Sequence, residues 1–419
     1  MIVLETKLKG TLEQYGRLDE AIRTAQFVRN SAIRYWIDNK GVGKGDLSKL
    51  CAVLAKEFEW AGKLNSMARQ ASAERAWQSI TRFYSNCKKR KQGLKGFPRF
   101  KKNTRSVEYK TSGWKLSDDR KSIAFTDGFE AGRFGMWGTR DLNFYQISKI
   151  KRIRVVRRAD GYYAQFCIDV EREIKHGYTG TIVGIDLGLE YFYTASDGET
   201  VENPRHLRKA EKRLKRLQRR ASLRKKGSAN RKKAINKMAR QHLKVSRQRK
   251  DHAVKTAGAL VASHDLIAYE NLQVRNMVKN HHLAKSISDA SWAMFVNWVE
   301  YYAKLHKIVT IAVPPQYTSL DCSNCGARVQ KTLSTRTHDC SRCGLKMHRD
   351  HNAARNILVK GLEVLGVEKS TGGQPGTYTP DGENHLWLVE GNFGWLSGLV
   401  ETGNFGGDSG ESPSIITSA

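Results

Sequence analysis

Four cysteines set the tightest constraint on what this 419-residue chain can fold into. Cys322 and Cys325, then Cys340 and Cys343, form two Cys-x-x-Cys pairs with fourteen residues between them, and a glycine follows each pair. Two knuckles of this kind bring four thiolates around one tetrahedral Zn²⁺, so a zinc ribbon is expected over 315–345. The gap is slightly shorter than the usual template. Pairwise disulfides are the competing reading, and a reducing compartment disfavours them. Cys51, Cys87 and Cys167 are scattered through regular-looking segments, where a buried thiol is the ordinary role.

The charge balance points to the partner. Lys and Arg number 73 against 41 Asp and Glu, a net charge of +32, and a polyanion is the natural counterweight to self-repulsion of that size. A basic membrane-surface protein is the rival reading, but the aromatics are dispersed and no apolar stretch approaches the ~20 residues a bilayer span needs. Met1–Gly10 lacks a basic region followed by an apolar core, so no secretory signal is expected and the chain reads as cytoplasmic.

Patterning divides the chain. Residues 1–10 read as a strand, and helical spacing runs from Leu12 to about Lys95, with Asp46 a plausible helix cap. GFPRFKK (96–102) breaks that run. Alternating segments follow, ending in a hairpin with Asp160 and Gly161 at its turn, which argues for an antiparallel sheet or barrel that the first strand joins. From Thr181 the order becomes strand hairpin, long basic helices over 203–263, a strand at HDLIAYE, one amphipathic helix over 286–306, a strand at KIVTIAVPP, the ribbon and a last helix. A mixed sheet covered by helices is expected. Beyond Ser370, eleven glycines, six acids and no Lys or Arg in 49 residues read as a disordered tail, without which the body carries 73 − 35 = +38.

Three acids stand out, in the order Asp186, Glu270, Asp350. Asp186 lies inside IVGIDLG and Glu270 ends an apolar run, so each is costly to bury unless a cation or donors meet it; Asp350 opens an Ala/Asn-rich helix, where a simple cap is the alternative. Carboxylates on rigid elements suit Mg²⁺, and two such ions ~4 Å apart would suit phosphodiester hydrolysis. Between Arg205 and Lys250, 21 of 46 residues are Lys or Arg and Glu211 is the only acid. A solvated helix face would need acidic partners at i±4 that are missing. Phosphate contact without sequence reading is the expectation for Lys212, Arg216, Arg219, Arg220, Arg224, Lys225 and Lys226, with Gly227 and Ser228 breaking the run into two helices.

The combination GIDLG, AYENL, KNHHLAKSISDASW, YTSLDCSNCG, LSTRTHDCSRCG and HRDHNAARNI resembles the TnpB family, transposon-encoded RNA-guided DNA endonucleases related to type V CRISPR effectors. The match is dense over 181–365 and looser in the preceding helices. The resemblance implies an α+β multidomain fold: an RNase H-like RuvC nuclease domain (179–314 and 346–370) with the zinc ribbon inserted, a β-barrel wedge domain (1–10 and 105–178) and a helical recognition domain (11–104), with the tail at 371–419. It implies Asp186, Glu270 and Asp350 as Mg²⁺ ligands, zinc on the four cysteines, Arg336 near the scissile phosphate, a guide RNA, a double-stranded DNA target and a nucleoid-associated prokaryotic setting. A transposase from the same element is a further implied partner. His348 stands where many members have an acid. Arg69 and Gln70 are candidate readers of a short flanking DNA motif, since both side chains suit bidentate base contacts, with a solvent-facing helix or an RNA-backbone contact as the equal alternative. An RNA-guided repressor that does not cut and an RNase H-like transposase remain the alternatives; the first would lack an acid, and the second typically orders its acids Asp, Asp, Glu.

Overall fold

The computed structural model describes residues 1–90, 93–138, 141–332 and 334–366. The acidic segment 371–419, expected to be disordered, lies outside the described residues. The chain divides into two compact units, the first ending at Glu171 and the second starting at Arg172.

In the first unit the strand Ile2–Lys9 buries alternate residues and runs antiparallel between Gly161–Ile168 and Arg133–Trp137. It is the central member of a seven-stranded sheet whose opposite edges are Ser106–Lys110 and Trp114–Leu116. Only residues 111–113 separate those two edges in sequence, and a chain that short forces them close together, so the sheet curls back on itself. The Ile150–Arg158 hairpin turns one residue earlier than expected: Arg158 pairs with Gly161, which leaves Ala159 and Asp160 at the turn. The strand Arg133–Trp137 has no clear sequence signal because glycine interrupts its alternation; pairing on both sides creates it.

Three longer helices complete this unit: Leu12–Asp38, opened by a reciprocal Thr11/Gln14 cap, Lys44–Glu57 and Ser66–Lys88. Val28, Ile33, Leu47, Leu54, Ala76 and Ile80 form a buried core among them. Asp46 sits inside the first turn of its helix and accepts from the Gly43 N–H at 2.9 Å, so the helix starts two residues before it.

The second unit is built on a five-stranded sheet. Ile182–Asp186 and Leu266–Glu270 are parallel neighbours, Val309–Val313 extends the parallel set, and Tyr191–Ala195 and Thr200–Glu202 continue antiparallel on the other side. The expected single helix over 286–306 is two, Ala284–Ala290 and Trp292–His306, parted by Ser291 at φ +58°. Asp289, just before the break, accepts from the Leu207 and Arg208 N–H groups and pairs with Arg249, pinning the start of the basic helix His206–Ser222. That helix and Ala229–Ala262 are joined by a turn with Gly227 at φ +84° and Ser228 as the second helix's cap, as the sequence suggested.

The helix Arg349–Val364 lies across the sheet, burying Ile357 and Leu358 against Leu266, Ala268, Ile311 and Val313. Gly184 makes this approach possible. A Cβ there would lie 2.3 Å from the Ala354 carbonyl oxygen and 2.6 Å from the Leu358 nitrogen, both backbone atoms that cannot swing aside. Gly184→Ala is therefore expected to destabilise this unit by about 1–3 kcal/mol, the usual cost of overpacking. Gly16→Ala, where a Cβ meets nothing within 4 Å, should leave stability unchanged or raise it slightly. Urea unfolding monitored by circular dichroism compares the two; equal midpoints would mean that the helix does not press on Gly184.

Candidate metal centres and basic face

Parallel pairing aligns the ends of two strands. Tyr269 is in register with Ile185, so Glu270 and Asp186 terminate neighbouring strands at the same edge. The Arg349–Val364 helix delivers Asp350 in its first turn to the same place: the Asp350 Oδ2 lies 3.9 Å from where a Cβ on Gly188 would stand, two residues past Asp186. Asp350 and Glu270 are buried and Asp186 half-buried.

Their electrostatics follow from that proximity. Burial raises the Asp186 carboxyl well above the ordinary carboxylate range, and the charges of Glu270 and Asp350 add to it, with Arg349 opposing. Burial also raises Glu270, helped by Asp350 and opposed by the Thr318 hydroxyl and Lys360. Glu270 Oε1 accepts from Thr318 Oγ1, and Asp350 Oδ1 accepts from Arg349 Nε at 3.4 Å. No hydrogen-bond donor among the described residues reaches the Asp186 carboxylate. A poorly solvated carboxylate without donors, beside two more, fits a divalent cation. Among the described residues, the four cysteines, and not these three carboxylates, lie close enough together to form one metal-sized shell.

The cysteines do converge. All four Sγ atoms lie within 4.8 Å of one another, and the Cys322–Cys343 and Cys325–Cys340 separations are each 3.6 Å. A disulfide would need about 2 Å, whereas a tetrahedron with bonds near 2.3 Å has edges of about 3.8 Å. The four thiols therefore fit zinc. The Leu345 N–H draws Cys343 down to about 6, favouring the thiolate, while burial pushes Cys322 up to about 12, a cost that a bound cation removes.

His348 has a definite duty despite its departure from the family pattern. Its Nδ1 accepts from the Asp350 N–H at 3.3 Å, making it the cap of the helix that carries Asp350. Arg336, in the returning limb of the ribbon, pairs with Glu190 at 3.4 Å, and its carbonyl accepts from the Arg349 N–H at 2.7 Å. It thus stands one backbone step from the acidic cluster with a half-exposed side chain.

Lys212, Arg216, Arg219, Arg220, Arg224, Lys225 and Lys226 are all exposed. Glu211, the single acid of the run, is committed to Lys215 and Lys285 at 2.9 and 2.7 Å. Asn203 donates to the Leu189 carbonyl at 3.1 Å, fixing the entrance of the basic hairpin to the loop that follows Asp186. Arg69 Nη1 donates to the carbonyls of Ala61, Gly62 and Leu64, so this arm of the partly exposed guanidinium staples a loop. Gln70, beside it, is partly exposed.

Sequence reasoning missed the residues that support these groups. Thr318, Asn352, Asn356 and Lys360 all hold either Glu270 or the segment entering the ribbon. The available signal was Asn352, a polar side chain next to the apolar run that the helix buries, a placement that demands partners.

Residues 165–281 match the family OrfB_IS605, described as "Probable transposase", and residues 292–357 match a Cas12f1-like TNB domain. A Streptomyces pristinaespiralis protein named "Putative RNA-guided DNA endonuclease" is 40% identical over 186 residues, 44% of this chain and 46% of that protein. An Escherichia coli (strain K12) protein named "Putative RNA-guided DNA endonuclease InsQ" is 28% identical over 329 residues, 74% of this chain and 78% of that one. The cryo-EM structure of a Cas12f1-sgRNA-target DNA complex has a similar fold, with a TM-score of 0.53, 16% identity, and coverage of 83% of this chain and 82% of its own.

The raised Asp186 pKa gives a pH test. The folded state binds this proton more tightly than the unfolded chain, so the group's stabilising effect is complete below the ordinary value near 4 and is lost as pH rises through the elevated folded value. At pH 8 without added divalent metal, Asp186→Asn should therefore melt above the parent, and the gap should shrink as pH falls towards 4. Added Mg²⁺ should stabilise the parent and leave the variant unmoved. Equal melting temperatures at pH 8 would mean that Asp186 is not held against its charge.

Proposed function

We propose that this chain is a member of the TnpB family and an RNA-guided DNA endonuclease that hydrolyses phosphodiester bonds of double-stranded DNA beside a short flanking motif. The observation that carries the reading is the meeting of Asp186, Glu270 and Asp350 at one edge of the parallel strands. The names of the aligned relatives support it, and the fold is similar to that of a Cas12f1-sgRNA-target DNA complex.

Asp186, Glu270 and Asp350 would hold two Mg²⁺ ions, which supply an activated water and a counter-charge for the leaving oxygen. The chain's own contribution is to fix three carboxylates in a poorly solvated pocket and to bring phosphates to it. Arg336 lies where it can reach a phosphate once it leaves Glu190. The exposed basic hairpin would hold the guide RNA or the RNA–DNA heteroduplex by its backbone, while base pairing reads the target. Gln70 and Arg69 would be the readers of the flanking motif. The curled sheet would serve as the wedge domain, the first unit's helices as the recognition domain, the five-stranded sheet as the RuvC domain, and the ribbon as a structural zinc module.

Sequencing the RNA that co-purifies with the protein yields the guide, and the reconstituted complex can then be offered a matching plasmid with a randomised flank. Mg²⁺-dependent cutting of the matched plasmid is expected. Asp186→Ala, Glu270→Ala and Asp350→Ala should each abolish cutting while leaving guided binding intact; a variant that still cuts near the parent's rate is not a ligand. Changing Lys212, Arg216, Arg219 and Arg220 together to Gln should weaken binding for every target and flatten the dependence of log affinity on log salt by about 0.7–0.9 per lost contact. An unchanged slope with an altered flank preference would instead put these side chains at base edges.

A further inference from the structure

The ribbon is fastened to the acidic cluster from both ends. At its entrance, Thr318 is buried in the turn that starts at Tyr317, where the backbone takes φ +63° and the Tyr317 carbonyl accepts from the N–H groups of Leu320 and Asp321 at 3.0 and 2.9 Å. The Thr318 hydroxyl points inward and donates to Glu270 Oε1. The outward carbonyls of the same turn are gripped by the helix that carries Asp350. Asn356 donates to the Thr318 and Asp321 carbonyls at 2.8 and 2.7 Å, and Asn352 donates to Asp321 at 2.8 Å. Asn352 also accepts from the Ser323 N–H at 2.9 Å, and Lys360 donates to the Gln316 carbonyl at 2.6 Å. Residues 352, 356 and 360 follow at four-residue spacing and so form one stripe along the helix. At the exit, the strand Lys346–His348 runs directly into that helix, with the Arg349 N–H on the Arg336 carbonyl.

From this we infer that Thr318 is a positioning residue for the metal ligand Glu270, and that the ribbon clamps Glu270 against Asp350 so that the two can share divalent metal. The inference rests on the nuclease reading of the acidic cluster. A glutamate has three side-chain torsions to fix, and one hydroxyl on Oε1 selects the rotamer and leaves Oε2 for the cation. Groups that orient a ligand in this way typically cost 10–100-fold in metal affinity or activity when removed.

Thr318→Val keeps the shape and deletes the hydroxyl, and Thr318→Ser restores it. In the full-length protein with its co-purified RNA, the Val variant is expected to need at least about tenfold more Mg²⁺ for half-maximal cleavage, with zinc content and metal-free guided binding unchanged, and the Ser variant should return to the parent's Mg²⁺ dependence. Mn²⁺ binding, followed by electron paramagnetic resonance of the free ion, should weaken by a similar factor in Val and recover in Ser. The inference is overturned if Val keeps the parent's Mg²⁺ and Mn²⁺ dependence, if Ser is as impaired as Val, or if Val loses zinc or guided binding together with cleavage. A parent that cuts nothing at any Mg²⁺ concentration defeats the nuclease reading instead, and the Mn²⁺ comparison still decides the role of Thr318.

Discussion

The close contact between the Arg349–Val364 helix and Gly184 is what the rest of the second unit depends on. Nothing larger than a hydrogen fits between this strand and the Ala354 carbonyl. Burial of Ile357 and Leu358 against the sheet supplies the force for that contact, and burial of each such side chain contributes roughly 1.5–3 kcal/mol. With the helix so seated, its first turn can lie only beside the ends of the two central strands, and Asp350 is carried to Asp186 and Glu270 whether or not the three charges welcome it. The upward shift of the Asp186 carboxyl follows from that burial and from the neighbouring Glu270 and Asp350 charges, and on the proposed reading a divalent cation would offset it.

The same geometry explains why a small zinc module belongs inside this sheet-and-helix unit. The ribbon leaves the sheet after Val313 and returns through Lys346–His348 into the Asp350 helix, so its two ends are the two approaches to the acidic cluster. Too few residues lie between them to build a core of their own, and a metal is the usual remedy at that size. The basic hairpin is tied at its start to Leu189 and Asp289. On the proposed reading, a polyanion would relieve the self-repulsion along its exposed Lys and Arg side chains.

Much of this could be read from the chain. The four cysteines, the three acids and the basic run each violate an ordinary rule of burial or charge pairing, and each violation had one economical resolution. The neighbouring placement of Asp186 and Glu270 followed from two apolar runs ending in an acid. What escaped was set by tertiary contact. Ser291 breaks a helix whose periodicity reads as continuous, and the break accompanies a buried Asp289 whose partners lie some 80 residues away. Arg69 engages a local loop through Nη1, a contact that its sequence neighbours do not announce. Thr318 is one hydroxyl in a polar stretch, and only the fold reveals which carboxylate it meets.

The most direct test of the account is anomalous diffraction from crystals of the guide-bound protein soaked in Mn²⁺, with data collected at the manganese and zinc edges. The expected maps hold one zinc peak among Cys322, Cys325, Cys340 and Cys343, and manganese density enclosed by Asp186, Glu270 and Asp350. A clear zinc peak with no manganese at the carboxylates, at a Mn²⁺ concentration that supports cleavage, would contradict the claim that these three side chains form the metal site.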